Sequence, residues 1–439
     1  MPDVYEIVNA TQLNNDLEDV ADAIRAKSQG QDPLLFPSEF ISEIASIPTG
    51  GASITGATDV TVKALETITQ GDTLYIYKAM QPLLDPATLP TGDANGCAFS
   101  PDGTRLAVGH ASSPYITIYN TTTTPYTKLA NPGSSSLPSS TVNGCAFSPD
   151  GTRLAVAHNN SPYITILNTT TTPYTKLTNP GTRPTGHGYA CAFSPDGTRL
   201  AVGHGTSPYI TIYDTTTTPY TKLTDPGTLP TGIGYGCAFS PDGTRLAVAY
   251  NSSPYITIYD TTTTPYTALT SPGTLPSNSG RGCAFSPDGT RLAVAHAYSP
   301  YITIYDTTTT PYTKLANPGT LPASTGNGCA FSPDGTRLAV AHNNSPYITI
   351  YDTTTTPYTA LTSPGTLSNT GKGCAFSSDG TRLAVAHLNI PRITTFNTSE
   401  QAQASKALNK TVSTKICYGY AKSSIASDST GTAAVLFEP

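Results

Sequence analysis

The 439-residue chain has no tryptophan and only two methionines. Charged side chains make up only 12% of it, the formal charge is −6, and lysine and arginine never gather into a run. A nucleic-acid-binding surface needs a basic footprint, so no nucleic-acid partner is expected. No stretch is apolar for long enough to cross a bilayer as a helix, so no membrane partner is expected either. The first ten residues lack a basic head followed by an apolar run. That pattern gives no secretory signal and points to synthesis in the cytoplasm. What the chain does hold is turn-forming and β-forming: 37 Gly, 38 Pro and 26 Tyr, with abundant Thr. Such a composition suits an all-β chain of many short strands.

A unit of about 46 residues recurs seven times, and repeats of that length decide the architecture. In one copy Cys-Ala-Phe-Ser is followed by Pro241-Asp242-Gly243, then Leu-Ala-Val-Ala, then Tyr-Ile-Thr-Ile-Tyr, a run of Thr, and Tyr-Thr-Ala-Leu. The reading places strands at 237–240, 246–249, 255–259 and 266–269, with the Pro-Asp-Gly turn between the first two. Four antiparallel strands per repeat make one propeller blade. Seven of the eight cysteines (97, 145, 191, 237, 283, 329 and 374) occupy one repeat position. Equivalent positions in neighbouring blades point the same way, so free, apolar-packed thiols are expected rather than disulfides.

The sequence Phe239-Ser-Pro-Asp-Gly243, Leu-Ala-Val and Ile-Thr-Ile-Tyr-Asp260 resembles a WD40-type repeat with Tyr in place of the signature Trp. There is no Gly-His pair before the first strand, so the buried side-chain network typical of the eukaryotic family is not expected. The resemblance implies a seven-bladed β-propeller over residues 80–397. Seven first strands are matched by only six outer strands within the repeats. The missing one is supplied by Met80-Gln-Pro-Leu-Leu-Asp-Pro, which matches Tyr220-Thr-Lys-Leu-Thr-Asp-Pro. An N-terminal strand that completes the seventh blade would latch the ring and leave no open sheet edge.

The ends differ in character. Residues 11–27 place Leu13, Leu17, Val20 and Ile24 on one stripe and read as an amphipathic helix, followed by a second helix over 37–47. Residues 1–50 are therefore a helical segment, either a hairpin packed on its own chain or an attachment and homo-oligomerisation element. Residues 51–79 and 398–439 read as the two β-rich parts of a small end domain. The helical pattern, Phe36-Pro-Ser-Glu-Phe40 and Gln70-Gly-Asp-Thr-Leu-Tyr75 resemble segments of tail and fibre proteins from phages and prophages of Gram-positive bacteria. That resemblance implies a virion location and other tail proteins as partners.

Comparing the seven copies with one another shows where the chain varies. The Ser-Pro-Asp-Gly-Thr-Arg turn and the Thr run are almost constant. Before Gly-Cys or Ala-Cys, however, stand Asn95, Asn143, Tyr189, Tyr235, Arg281, Asn327 and Lys372. The loop between the second and third strands also varies, for example at Asn159-Asn160, Gly205-Thr206 and Ala297-Tyr298. Both places fall on one rim. With Tyr298, the seven residues form a candidate site for a polar ligand such as a host-surface glycan, loops on a rigid scaffold being common binding sites. Drift in tolerant loops is the alternative. A near-ring of histidines (110, 158, 204, 296, 342 and 387, with Tyr250 in the fourth copy) is expected to be structural, because neighbouring blades stand too far apart to share one ion. Asp102 and Arg105, with their copies, are expected to be turn and surface groups. No nucleophile–base pair and no set of non-repeating acids appears, so neither an enzyme nor a cofactor is expected. The functional expectation is a virion protein whose propeller binds a host surface, by a glycan or a protein. The alternative is a WD40-type interaction scaffold.

Overall fold

A computed structural model describes residues 80–398 except residue 366. Beyond these it describes the backbone of strands at 59–64, 73–79, 399–406, 417–421 and 430–437. The expected helices over 11–27 and 37–47 lie outside the described residues.

Six four-stranded antiparallel sheets follow one another along the chain, and a seventh is built at the seam. The first blade runs Ala94–Phe99, Arg105–His110, Ile116–Asn120 and Thr127–Lys128, hydrogen-bonded in that order. A single 3-10 turn, Ser134–Ser136, is the one helical element among the described residues. All four strands expected in the fourth copy are found, at Gly234–Phe239, Arg245–Tyr250, Ile256–Asp260 and Thr267–Ala268, each boundary shifted by one to three residues from the sequence expectation. The inner strand of the fourth blade begins three residues earlier, at Gly234, because it carries a bulge. Tyr255 falls outside its strand because its φ is +69°. It closes a turn whose N–H bonds to the Ser252 carbonyl at 2.7 Å.

The two-residue period of the inner strands explains how blades stack. Leu106 and Val108 project from one face beside Tyr119, while Ala107 projects from the other beside Ile116 and Ile118. The large face meets the preceding blade's small one: Leu106, Val108 and Tyr119 pack on Ala384, Ala386 and Ile393 of blade seven. The small face meets Leu154, Val156 and Leu167 of blade two. The same arrangement fills every interface around the ring. Full burial of each such aliphatic side chain contributes about 1.5–3 kcal/mol.

The expected latch is present. Blade seven orders its strands as Gly371–Phe376, Arg382–His387, the strand starting at Ile393, and Thr73–Pro82. The Leu83 N–H donates to Thr395 O at 2.7 Å, as Leu129 N–H does to Ile118 O at 2.8 Å in blade one. Met80 is buried beside Phe396 and Leu383, the position Tyr126 fills in blade one. Closing the ring with a strand from the other end of the propeller sequence removes an edge that would otherwise stay unpaired.

The second compact unit, Pro2–Ala79 with Glu400–Pro439, is described through its strands alone. Asp59–Ala64 pairs antiparallel with Thr430–Phe437, which pairs with Cys417–Ala421, which in turn pairs with residues 73–76.

Candidate functional site

In every blade the ladder between the first two strands slips by one residue at the same place. Ala94 pairs with His110 and Gly96 with Gly109, leaving Asn95 as the extra residue. The corresponding extra residues are Asn143, Tyr189, Tyr235, Arg281, Asn327 and Lys372. One of the variable positions of the repeat is therefore the bulge. A bulged residue leaves the alternation of its strand and can be re-aimed without disturbing the packed faces on either side. That is how this position can carry Asn, Tyr, Arg or Lys.

The seven bulges form one collar. A Cβ built on Gly96 would lie 3.0 Å from the Asn143 carbonyl oxygen, and one built on Gly373 would lie 3.2 Å from that of Asn95. The same close approach links Gly236 to Arg281, Gly282 to Asn327 and Gly328 to Lys372. Inner strands of adjacent blades thus run backbone to backbone, and the collar closes from blade seven to blade one.

The structure separates the candidate residues by role. Asn95 Nδ2 donates to the Val142 carbonyl of the next blade at 2.9 Å. Asn143 reaches the Gly188 carbonyl at 2.8 Å, and Asn327 that of Gly371 at 2.7 Å. These three amides tie blades together. Tyr189 and Tyr235 meet edge to face, with ring centroids 5.0 Å apart and planes at 77°. The Tyr189 ring also lies over Gly205, where a Cβ would stand 3.4 Å from Cε2. Arg281 is exposed and Lys372 half-buried. Burial holds the Lys372 amine below its ordinary range, Arg281 pushes it the same way, and Asp93 partly opposes them. Tyr298 stands 64% exposed at the loop tip.

The variable loop between the second and third strands does share this rim. The Ala111 N–H bonds to Asp93 O at 3.0 Å and the Asn159 N–H to Thr141 O at 3.1 Å. The opposite rim carries the constant turns, where Thr121 N–H donates to Thr104 O at 3.0 Å. There Asp102 accepts from Ser100 Oγ, Thr104 N–H and Thr104 Oγ1, as a turn residue should. Burial alone would raise the Asp102 carboxyl, but these bonds, joined by the field of Arg105, bring it below its usual value. Arg105 is more than the expected surface group. Its Nη1 donates to Tyr174 Oη in the next blade at 3.2 Å, with the guanidinium 5.8 Å from that ring's centroid. Arg153 does the same to Tyr220 and Arg382 covers Tyr126, so the arginines bridge blades. Sequence reading missed this role because the partners lie 67 to 69 residues apart in the first two copies.

The histidines are structural, as expected, but they bond across the sheet. His110 Nε2 meets Thr117 Oγ1 at 3.0 Å, and each copy repeats the pair at 2.9–3.0 Å. Tyr250 Oη substitutes in blade four, 2.8 Å from Thr257 Oγ1. On the far side of the ring, Ser139, Thr185, Ser277 and Ser368 reach Nδ1 of their histidines at 3.3–3.5 Å. Burial drives His110, His158, His204, His296 and His342 down to about 4, so they are neutral. No group of three or more metal-ligating side chains occurs among the described residues. The seven repeat cysteines are free thiols, each with Sγ 3.5–3.8 Å from an alanine carbonyl of the preceding blade. Burial pushes the thiols of Cys97, Cys237 and Cys329 up to about 12.

Comparison with known proteins agrees with this architecture. A family model described as "WD domain, G-beta repeat" matches residues 133–162, which hold the inner two strands of blade two. No curated protein matches the chain. Among solved structures, the hydrazine synthase of Kuenenia stuttgartiensis is similar at 17% identity and a TM-score of 0.58. That match covers 72% of this chain and 97% of the other. The β-propeller domain of Cps50 (Swd1) from Myceliophteria thermophila is similar at 15% identity and a TM-score of 0.55, covering 71% and 98%. At these identities the likeness is one of fold. The chain is a seven-bladed β-propeller that carries a WD-type repeat, with its most variable residues gathered on one rim.

Proposed function

We propose that this chain is a virion protein of a phage or prophage, associated with the tail or fibre, whose propeller binds a host-surface ligand through the bulge collar. The observation that carries the reading is the confinement of variation. Seven copies keep nearly the same packed faces and turns, yet differ on one rim, at the bulge and in the loop positions beside it, where a new side chain can be presented. The ligand proposed is a glycan, whose apolar ring faces and hydroxyls suit tyrosines beside cationic donors. In this account the N-terminal segment joins the protein to other tail components or to further copies of itself. The virion context rests on the likeness of residues 10–47 and 70–75 to tail and fibre segments.

A second reading is an interaction scaffold outside any particle, with the same rim holding a protein partner. The WD-type repeat favours it, since the fold presents loops well suited to protein contacts. Peptide mapping of particles purified from an induced lysogen separates the two. The chain present in stoichiometric amount, and labelling host cells when added as purified protein, is the expected result. A chain found only in the cell lysate, bound to a cytoplasmic protein, would overturn the virion reading.

A further inference from the structure

The protein is acidic overall, yet its collar is not. The bulge position carries Arg281 and Lys372 and no carboxylate in any blade. Around it, Asp93 is the one acidic residue among the variable rim positions, and it is already engaged. Its Oδ1 accepts the Asn389 N–H at 3.2 Å and lies 3.9 Å from Arg392 Nε. The contrast with the opposite rim is sharp. There Arg245 sits 3.6 Å from Asp260 and Arg291 3.6 Å from Asp306. Among the described residues, neither Arg281 nor Lys372 has a carboxylate within salt-bridge distance.

These two cations also stand on the same collar. The ring order places them two blades apart with Asn327 between, and the Asn327 amide is spent on the Gly371 carbonyl. Two like charges on one collar repel, Asp93 offsets only part of that at Lys372, and an anion seated between them lowers the cost further through charge-assisted hydrogen bonds. On the other flank of Arg281 lies the edge-to-face pair of Tyr189 and Tyr235. Aromatic surface and cationic donors therefore share one arc of five blades, interrupted at Asn327 alone. Two cations are too few for a polyanion held by its charges alone, which needs many phosphate contacts.

Resting on the collar-binding reading above, we propose that the ligand is an anionic saccharide, a sugar carrying a carboxylate or a phosphate. Its acidic group sits between Arg281 and Lys372, and its ring lies against Tyr189 and Tyr235.

Calorimetric titration of the full-length chain tests this with four probes: a glucuronate-containing oligosaccharide, a glucosylated glycerol-phosphate polymer, a neutral glucan of equal length and a polyglutamate peptide. The expected result is binding to one or both acidic sugars at least tenfold tighter than to the neutral glucan, with polyglutamate not bound. The acidic probe that binds identifies carboxylate or phosphate as the source of the charge. R281Q and K372Q each weaken that binding at least tenfold, while R281K and K372R retain it, which separates loss of charge from loss of folding. Equal binding of neutral and acidic sugars, abolished by changing Tyr189 and Tyr235 to Ala, would overturn the anionic inference and leave the collar reading standing. Binding of polyglutamate as tightly as the acidic sugars would show recognition of charge without a sugar and also overturn it. No binding of any saccharide, together with no labelling of host cells, would overturn both.

Discussion

Asn143 donates from one nitrogen to two acceptors, Asn159 Oδ1 at 2.7 Å within its own blade and the Gly188 carbonyl at 2.8 Å in the next. Blade six repeats the arrangement with Asn327, Asn343 and Gly371. The two variable positions of the repeat are thus partners: Asn opposite Asn in blades two and six, and Tyr189 over Gly205 in blade three. Where the pair is Asn–Asn it works as an inter-blade clip.

The clip has a measurable cost of removal. Asn143→Ala leaves the Gly188 carbonyl and Asn159 Oδ1 without this donor and is expected to destabilise by about 1–2 kcal/mol. Asn143→Asp should cost more, because a carboxylate would face two oxygens. Urea unfolding reads both values, and ligand affinity should be unchanged in either variant. An unaltered unfolding midpoint with weakened ligand binding would assign Asn143 to the ligand instead.

Blade one has Gly109 where most copies have Ala, and the reason lies in the next blade. A Cβ on Gly109 would stand 2.3 Å from Val142 Cγ1. At the equivalent interface in blades four and five the pair is Ala249 with Gly280, so the volume is exchanged across the seam. Gly109→Ala alone is expected to destabilise by about 1–3 kcal/mol through overpacking. Adding Val142→Gly should recover at least about 1 kcal/mol of that loss, a coupling a double-mutant cycle detects. Strictly additive effects would contradict the packing scheme.

Acid should unfold this propeller before its carboxylates titrate. Five histidines titrate near 4 in the folded state, against 6.5 for an unburied imidazole. Between those pH values the unfolded chain binds protons there and the folded chain does not, so stability rises with pH across the window. It is fully present above about pH 6.5 and is lost as the pH falls toward about 4. Each histidine contributes a slope of about 1.4 kcal/mol per pH unit. Melting temperature should therefore drop steeply from about pH 6.5 to about pH 4.5. His204→Tyr, copying the Tyr250 bond to Thr257, should make the drop shallower. A melting temperature that stays flat across that window would contradict the burial of these rings.

Much of the fold was legible because the repeat states it seven times. The Leu-Ala-Val and Ile-Thr-Ile patterns gave two-faced strands, and the Met80 segment matched the outer strand that the repeats lack. The rim was legible too, because copies in one chain can be compared position by position. What escaped was contact at long sequence separation and departure from ideal pairing. Nothing in the bulge sequence marks it as a bulge, since Asn, Tyr, Arg and Lys all stand there. The arginine of the constant turn reads as a surface charge until the next blade is placed beside it. The histidine network also has no local signature, because its threonine lies seven residues on, across a turn. The helical reading of residues 11–47 lies outside the described residues.

The central claim is that the variable rim, and not the constant one, is the binding face. Its most direct test is quantitative attachment of the labelled full-length chain to host cells. Wild type is compared with a collar variant in which Tyr189, Tyr235, Arg281 and Lys372 become Ala, and with a constant-rim variant carrying Thr263→Ala and Thr309→Ala. The account predicts attachment by wild type and the constant-rim variant, and loss of at least tenfold in the collar variant at unchanged melting temperature. Attachment that survives the collar changes but is lost with the constant rim would contradict it.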